Sequence, residues 1–257
     1  MSLVEYAAIL GAGILAGIIN VVAGAGTLIT FPTLLALGVP PVVGNVSNTV
    51  GLVPASVTGA FGYRRELRGQ WRAVAVMAAF SAVGGIIGGI LLLALPATSF
   101  SFIVPFLLVI AAVMAAVQPR VARYVRRNAA AHEQADDSTR AVAFGLILGV
   151  LATGVYGGYF GAAQGVVLLA LLGILWSTDM NRANGAKNVL AGTANVVSAI
   201  IFISSGTVDW RIAVLVGIGS AIGGLIGARI GRRLPAPVLR AILVIVALTA
   251  AVILFIG

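Results

Sequence analysis

The chain has 257 residues, of which 60% are hydrophobic and only 9% are charged, and its mean hydropathy is +1.12. A soluble domain carries about 25% charged residues, so this composition excludes a water-soluble protein, and the lack of cysteine excludes disulfides and thiolate sites. The net charge of +9 would suggest nucleic acid as a partner of a soluble protein, but nearly all basic residues lie in short loops beside apolar segments, where they set membrane topology.

Apolar runs separated by turn signals predict ten segments, and a full span needs about 20 apolar residues to cross a bilayer core of about 30 Å. In the first half the predicted segments are 5–23, 27–38, 43–63, 72–94 and 99–118. The second of these is short, which indicates a re-entrant or half-membrane piece. The start of the chain has no basic region and no cleavage motif, so we expect the first segment to be retained.

A polar linker, residues 119–140, follows the first half and is the one stretch whose composition is typical of an aqueous loop. The predicted segments of the second half are 141–159, 162–176, 183–204, 210–230 and 236–256. We therefore expect two membrane repeats, residues 1–118 and 141–257, joined by the linker.

Two sequence blocks support an internal repeat. Trp71–Val74 corresponds to Trp210–Ala213, and Gly84–Gly88 corresponds to Gly223–Gly227 at the same shift. The Gly-x-x-x-Gly spacing in the second pair of blocks predicts close helix packing through small residues.

The charges in the loops predict opposite orientations for the two halves. In the first half the basic loop, residues 64–72, follows the third segment, whereas in the second half the basic residues 229–240 follow the fourth. With the basic loops in the cytoplasm, both termini lie outside and the linker lies inside. The first two segments of each half then begin and end on one side, either as full spans or as a re-entrant hairpin. Such an inverted pair is an architecture of secondary transporters, with the substrate site near the midplane.

The third segment of each half carries a polar stripe on one helical face. Its candidate substrate-binding residues are Asn45, Asn48 and Thr49 in the first half and Asn184, Lys187, Asn188 and Asn195 in the second. A cation within a span costs roughly 3 kcal/mol on insertion scales, and no carboxylate lies in any predicted span. We therefore predict that Lys187 is the counter-charge for an anion. The alternatives are interhelical hydrogen bonding for the amides and snorkelling to the interface for the lysine.

The junctions between the first and second segments form the second candidate site. Glycine and polar residues interrupt the apolar run at 20–27 and again at 157–165. The candidate residues there are Asn20, Gly24, Gly26, Thr27, Gly161 and Gln164. Broken helices at corresponding positions of two halves indicate a transporter site, because half-helix N-termini offer N–H groups to an anion. A plain tight turn at a hairpin tip is the alternative.

The Gly-rich turn Gly24–Pro32, the following Gly38–Pro40, the polar third helix and the motifs Gly206–Trp210 and Gly223–Ala228 resemble the sulfite exporter TauE/SafE family, also described as the toluene sulfonate uptake permease family. The resemblance covers essentially the whole chain. It implies a permease for sulfite or small organosulfur anions such as sulfoacetate, in a bacterial inner membrane. The turn Gly161–Gly165 departs from the family's richer glycine signature.

Together these observations predict an all-α polytopic membrane protein that is not an enzyme, because no histidine, cysteine or carboxylate lies in a predicted span for acid–base or nucleophilic work. We expect neither a cofactor nor a bound metal. The expected partners are a small anionic substrate and the lipid bilayer, with a homodimer left open and no nucleic acid. The alternatives are a channel-like anion facilitator and a non-transporting membrane scaffold.

Overall fold

A computed structural model describes residues 1–132, 144–177 and 179–230, with five further positions near the C-terminus at 245, 248, 249, 251 and 252. This part of the chain contains helices and no strand. The helices are α1 (Leu3–Val22), α2 (Thr27–Ala36), α3 (Pro41–Gly62), α4 (Trp71–Ala94), α5 (Ala97–His132), α6 (Phe144–Tyr159), α7 (Gln164–Leu175), α8 (Met180–Ser204) and α9 (Trp210–Ile230). Helices α1, α4, α8, α9 and the first part of α5 are long and apolar enough to cross a membrane. The predicted all-α polytopic class is confirmed.

Carboxylates at the ends of the spans act as helix N-caps. The backbone N–H of Glu5 donates to Ser2 Oγ and its carboxylate accepts from Ser2 N–H, which forms a capping box at the start of α1. Asp179 accepts from two N–H groups in the first turn of α8, and Asp209 does the same before α9. Such caps favour helix initiation and place negative charge at the positive end of the helix dipole.

The second helix of each half is too short to cross the bilayer. Helix α2 has 10 residues and α7 has 12, which gives lengths of about 15 and 18 Å at 1.5 Å per residue. The hydrocarbon core is about 30 Å thick. Each half therefore begins with a broken hairpin whose second helix is about half the length of a full span, which favours the re-entrant option that loop charge leaves open.

The predicted close packing through glycines is confirmed. In α1, Gly13 lies against Val216 of α9, and Gly17 lies against Ser220. In the corresponding pair, Gly84 of α4 faces the backbone of α6. The first helix of each half thus packs on the fourth helix of the other half, so the two halves are interleaved rather than side by side.

The order of these contacts gives the helix directions. Helices α1 and α3 run parallel to α9, and α6 and α8 run parallel to α4. Helix α3 is antiparallel to α8, because Gly59 faces Asn188 whereas Tyr63 faces Gly185. Helices that occupy equivalent places in the two halves therefore point in opposite directions. This is the arrangement that the predicted inverted repeat requires, while its orientation in the bilayer stays a prediction.

Two parts of the structure depart from the expected segments or fall outside the described residues. Helix α5 continues to His132, so residues 119–132 of the predicted loop are helical. The cause is composition, because the arginines that make this stretch polar and the alanines between them are strong helix formers. The remainder of the linker and most of the predicted segment 236–256 lie outside the described residues.

Candidate functional site

The two hairpin turns touch each other in the middle of the helix bundle. The N–H of Gly165, at the start of α7, donates to the carbonyl oxygen of Gly24 at 3.0 Å. Gly24 has a φ of 74°, and a Cβ added there would lie 2.8 Å from the carbonyl carbon of Gly165. Only glycine accommodates both the left-handed backbone and this approach. The two broken junctions that the sequence singled out are thus brought together.

The Lys187 ammonium lies at the carboxyl end of α1. Its Nζ donates to the carbonyl oxygens of Asn20 and Val21 at 3.1 and 3.0 Å. The side chain is 1% exposed, so it is enclosed by protein rather than extended toward the membrane interface. The last carbonyls of a helix have no intrahelical partner and carry the negative end of its dipole, which gives this buried cation a compensating environment.

Two amides on α8 join Lys187 at the same carbonyl group. Asn184 and Asn188 each direct Nδ2 toward the Val21 oxygen at 3.4 Å. Three donors from one face of α8 therefore converge on the end of α1. The spacing of these residues predicts a shared face, and the structure shows that this face meets a broken helix from the other half.

The first half repeats this contact with neutral groups. Asn45 Nδ2 donates to the carbonyl oxygen of Tyr159, at the carboxyl end of α6, at 2.9 Å. Asn48, which corresponds to Lys187, instead donates to Thr27 Oγ1 at 3.2 Å and accepts from Thr30 Oγ1. The third helix of each half thus caps the broken first helix of the other half, but only the second half does so with a charge.

Several buried polar atoms near the turns have no hydrogen-bond partner among the described residues. They are Asn45 Oδ1, Tyr159 Oη, Gln164 Nε2 and Asn184 Oδ1. An unpaired buried polar atom costs about 1–3 kcal/mol, so native structures rarely leave one without a role. Their concentration at both hairpin junctions indicates a place for a polar ligand or for water.

A cavity of about 320 Å³ lies between α3 and α8. It is lined by Ser56, Val57, Ala60, Asn188, Val189, Gly192, Thr193, Val196 and Val197. Ser56 at its floor accepts a hydrogen bond from Asn20 Nδ2 at 3.4 Å. Its volume is in the range of small-molecule pockets. Through Ser56 and Asn188 in its lining, the cavity therefore reaches from the surface of the α3–α8 pair to the polar residues around the end of α1.

The remaining predicted residues have separate places. Thr49 is buried and donates to the Asn45 carbonyl within α3, and Gly26 packs against α1 near Ala16. Gly161 has a φ of 74° in the second turn. Asn195 is half-buried further along α8 and is not among the residues that line the cavity or cap α1.

One contributor was missed from sequence. Tyr159 offers a backbone carbonyl and a buried hydroxyl. Ser56, which lines the cavity, could be predicted as part of the polar stripe of α3, since it stands at the spacing of Asn195 on α8. A backbone carbonyl such as that of Tyr159 has no sequence signal.

The charge of the site is positive. The described carboxylates, at positions 5, 66, 179 and 209, all lie in helix ends or loops. In the part of the chain that the structure describes, no group of His, Asp and Glu side chains could hold a metal ion. The buried amine and the amide N–H groups are the kinds of donor that bind an anion.

Comparisons with known proteins cover almost the whole chain. Residues 9–254 match the family described as sulfite exporter TauE/SafE. The chain is 26% identical to "Probable membrane transporter protein ORF9" of Sinorhizobium sp, over 94% of this chain and 88% of that protein. It is 27% identical to "Probable membrane transporter protein YdhB" of Bacillus subtilis, over 95% and 96%, and 25% identical to YfcA of Escherichia coli K12, over 91% and 83%. No solved structure matches significantly.

Proposed function

Since the chain belongs to the sulfite exporter TauE/SafE family of membrane transporters, we propose that it is a permease for a small sulfur-containing anion, either sulfite or an organosulfonate such as sulfoacetate. The resemblance predicted from the glycine turns and polar helices is confirmed by the match over residues 9–254. The relatives are named as membrane transporters without a substrate, so the choice of substrate rests on the family description and on the chemistry of the site.

One observation carries the proposal: a buried cation lies beside the meeting point of two broken hairpins, and the described carboxylates lie elsewhere. The carboxyl end of a helix carries about half a negative charge, whereas Lys187, when protonated, carries a full positive one beside the Asn20 and Val21 oxygens. With the amine protonated, the group around the end of α1 therefore keeps a net positive charge. A buried positive centre without an acidic partner is complementary to an anion.

The anion would be held by donors from both halves. The first turns of α2 and α7 bring the positive ends of two helix dipoles to the turns, while their N–H groups, such as those of Ile29 and Gly165, already donate to nearby carbonyls. Gln164 Nε2 is a buried amide donor still without a partner. The oxygens of sulfite or a sulfonate are acceptors that such groups can bind. Lys187 and the amides of Asn48, Asn184 and Asn188 remain the proposed contacts around this centre, and Thr49 and Asn195 stay proposed contacts on the same faces of α3 and α8.

The proposed setting is a bacterial inner membrane, with both termini outside and residues 119–140 in the cytoplasm. A homodimer in that membrane stays part of the proposal. The interleaved, oppositely directed halves support transport rather than scaffolding, because a scaffold has no need of two inverted units that meet at a polar centre.

A thermal-stability screen of the purified protein tests the proposal. A ligand that binds the folded state stabilises it by RT ln(1 + [L]/Kd), which is about 2.7 kcal/mol at 100 times Kd. We expect at least one of sulfite, thiosulfate, sulfate, sulfoacetate and toluenesulfonate to raise the Tm beyond chloride or phosphate at equal ionic strength. Arg211→Ala, which removes an exposed charge at the start of α9, should respond as the wild type does. No shift with any sulfur anion would contradict the proposal.

The channel-like facilitator stays as the second candidate, because the described spans contain no carboxylate or histidine of the kind that commonly couples transport to protons or sodium. Counterflow separates the two. A permease loaded with unlabelled anion accumulates labelled anion transiently, whereas a pore only equilibrates it.

A further inference from the structure

The carboxyl end of α1 has the geometry of a cation site. In secondary transporters with broken helices, the carbonyls at half-helix carboxyl ends coordinate the coupling ion. Here the oxygens of Asn20 and Val21 converge on one point, and the Lys187 ammonium occupies that point at 3.1 and 3.0 Å.

We infer that the Lys187 ammonium is a built-in cation, which takes the place of a coupling metal ion at the carboxyl end of α1, so that transport needs neither Na⁺ nor K⁺. The part of the inference that concerns transport rests on the proposed function and is tested by flux measurements. The part that concerns the role of Lys187 rests on the geometry of α1 alone and is tested by thermal stability.

The contacts around Val21 leave no room for a second cation. Its oxygen accepts from Lys187 Nζ and lies within 3.4 Å of the amide nitrogens of Asn184 and Asn188. A carbonyl oxygen has two lone pairs, so three donors saturate it. Asn20 O also accepts the N–H of Gly24 at 2.9 Å. Both carbonyls are thus fully used with the lysine in place.

The first half shows what the same position looks like without the charge. Asn48 stands where Lys187 stands in the second half, and it hydrogen-bonds to Thr27 and Thr30 in α2. The carboxyl end of α6 receives only the neutral amide of Asn45. Of the two matching helix ends, α1 is therefore capped by the lysine and α6 by a neutral amide. Among the described residues, this places one positive centre beside the two turns.

The wild-type protein gives the first test. In proteoliposomes, uptake of labelled sulfite should be equal in Na⁺, K⁺ and N-methylglucamine media, and Na⁺ should not change the Tm more than N-methylglucamine does. A requirement for Na⁺ or K⁺ would overturn the inference. If no sulfur anion moves or binds under any condition, the proposed function fails instead, and the stability comparison below still decides the role of Lys187.

Replacement of the lysine gives the second test. Removing the ammonium takes away the positive charge that compensates the two carbonyl oxygens, so Lys187→Ala should slow flux by roughly tenfold and lower the Tm. Ethylammonium, which fits the space vacated by the side chain, should recover part of the Tm and flux of Lys187→Ala and leave the wild type and Arg211→Ala unchanged. Equal effects of ethylammonium on all three proteins would contradict the inference.

A third variant covers the case in which Lys187→Ala does not fold. Lys187→Gln keeps N–H donors and most of the side-chain volume but removes the charge, so it should fold and yet gain stability from Na⁺. A folded Lys187→Gln that is indifferent to every cation would show that the carbonyls need a hydrogen-bond donor and not a positive charge.

Discussion

Gly24 sets the distance between the two hairpin turns. Its oxygen accepts the Gly165 N–H, and its own Cα packs on the Gly165 backbone. A side chain at either position would push the two turns apart. It would also separate the ends of α1 and α6, which Lys187 and Asn45 cap on opposite sides of the Gly24–Gly165 contact. The site is thus fixed by backbone contact as much as by its polar side chains.

The first prediction distinguishes the stability cost of breaking this contact from the cost of a strained, left-handed backbone. Gly24 and Gly38 have nearly equal positive φ angles, 74° and 76°, but a Cβ meets the Gly165 backbone at the first and nothing within 4 Å at the second. Gly38→Ala should therefore cost about 1 kcal/mol for the left-handed backbone, and Gly24→Ala should cost about 1–3 kcal/mol more for overpacking. Thermal unfolding in detergent measures both. Equal losses would mean that the turns do not need to touch.

The second prediction concerns Gln164. Its buried Nε2 has no partner among the described residues, so Gln164→Leu should leave the free energy of unfolding unchanged or raise it by about 1 kcal/mol. If this amide binds the anion, the same variant should lose the Tm increase caused by the active sulfur anion. Gln70→Leu, in the loop before α4, is the matched control. Retention of the full ligand response in Gln164→Leu would remove this residue from the site.

The sequence predicts that Lys187 is buried, but it does not predict which atoms the ammonium contacts. Lys187 was predicted as the buried charge, and it is 1% exposed. Its partners, the carbonyls of Asn20 and Val21, could not be predicted. A backbone oxygen exists at every residue, and only the three-dimensional path of the chain decides which oxygens are left free at a helix end.

At the scale of helices, the hairpins give the fold its polar centre. The sequence predicted the short α2 because Gly24 and Gly38 bracket it and both are helix-ending glycines. Helix α7 was harder, because its predicted segment, 162–176, is apolar after Gln164 and has no internal length signal. The helical extension of α5 to His132 was missed because polarity indicates solvent exposure but does not distinguish a helix from a loop.

The third prediction tests helix packing. A Cβ on Gly88 of α4 would lie 2.7 Å from the backbone nitrogen of Tyr159, whereas Gly145 of α6 has nothing within 4 Å. Gly88→Ala should lower stability by about 1–3 kcal/mol, and Gly145→Ala should raise it by about 0.5–1 kcal/mol through helix propensity. Thermal unfolding compares the two. A stable Gly88→Ala would contradict the close α4–α6 contact.

At the scale of the whole molecule, the halves hold each other together. The broken first helix of each half is packed against the fourth helix of the other half, and its end is capped by the third. Loop charge predicts the opposite directions because the basic loop shifts by one position between the halves. The interleaving could not be predicted, since periodicity identifies a buried face but not its partner.

The fourth prediction places the loops. The chain has no cysteine, so single cysteines report accessibility without background. Thr98→Cys and Ser204→Cys, at exposed positions in the first turn of α5 and at the end of α8, should react with a membrane-impermeant maleimide in intact cells. Arg68→Cys, in the basic loop, should react only after the cells are opened. The reverse pattern would invert the proposed topology, and labelling of all three in intact cells would contradict any single orientation.

The central claim is that the positive centre between the hairpins moves a sulfur anion, and counterflow of labelled sulfite or sulfoacetate in proteoliposomes tests it most directly. We predict transient, saturable accumulation of label that needs the protein and is suppressed by an excess of the unlabelled anion. It should fall about tenfold in Lys187→Ala, as expected for loss of a buried charge partner, and stay unchanged in Arg211→Ala. Label that enters no faster than in protein-free vesicles, for every sulfur anion tried, would contradict the claim.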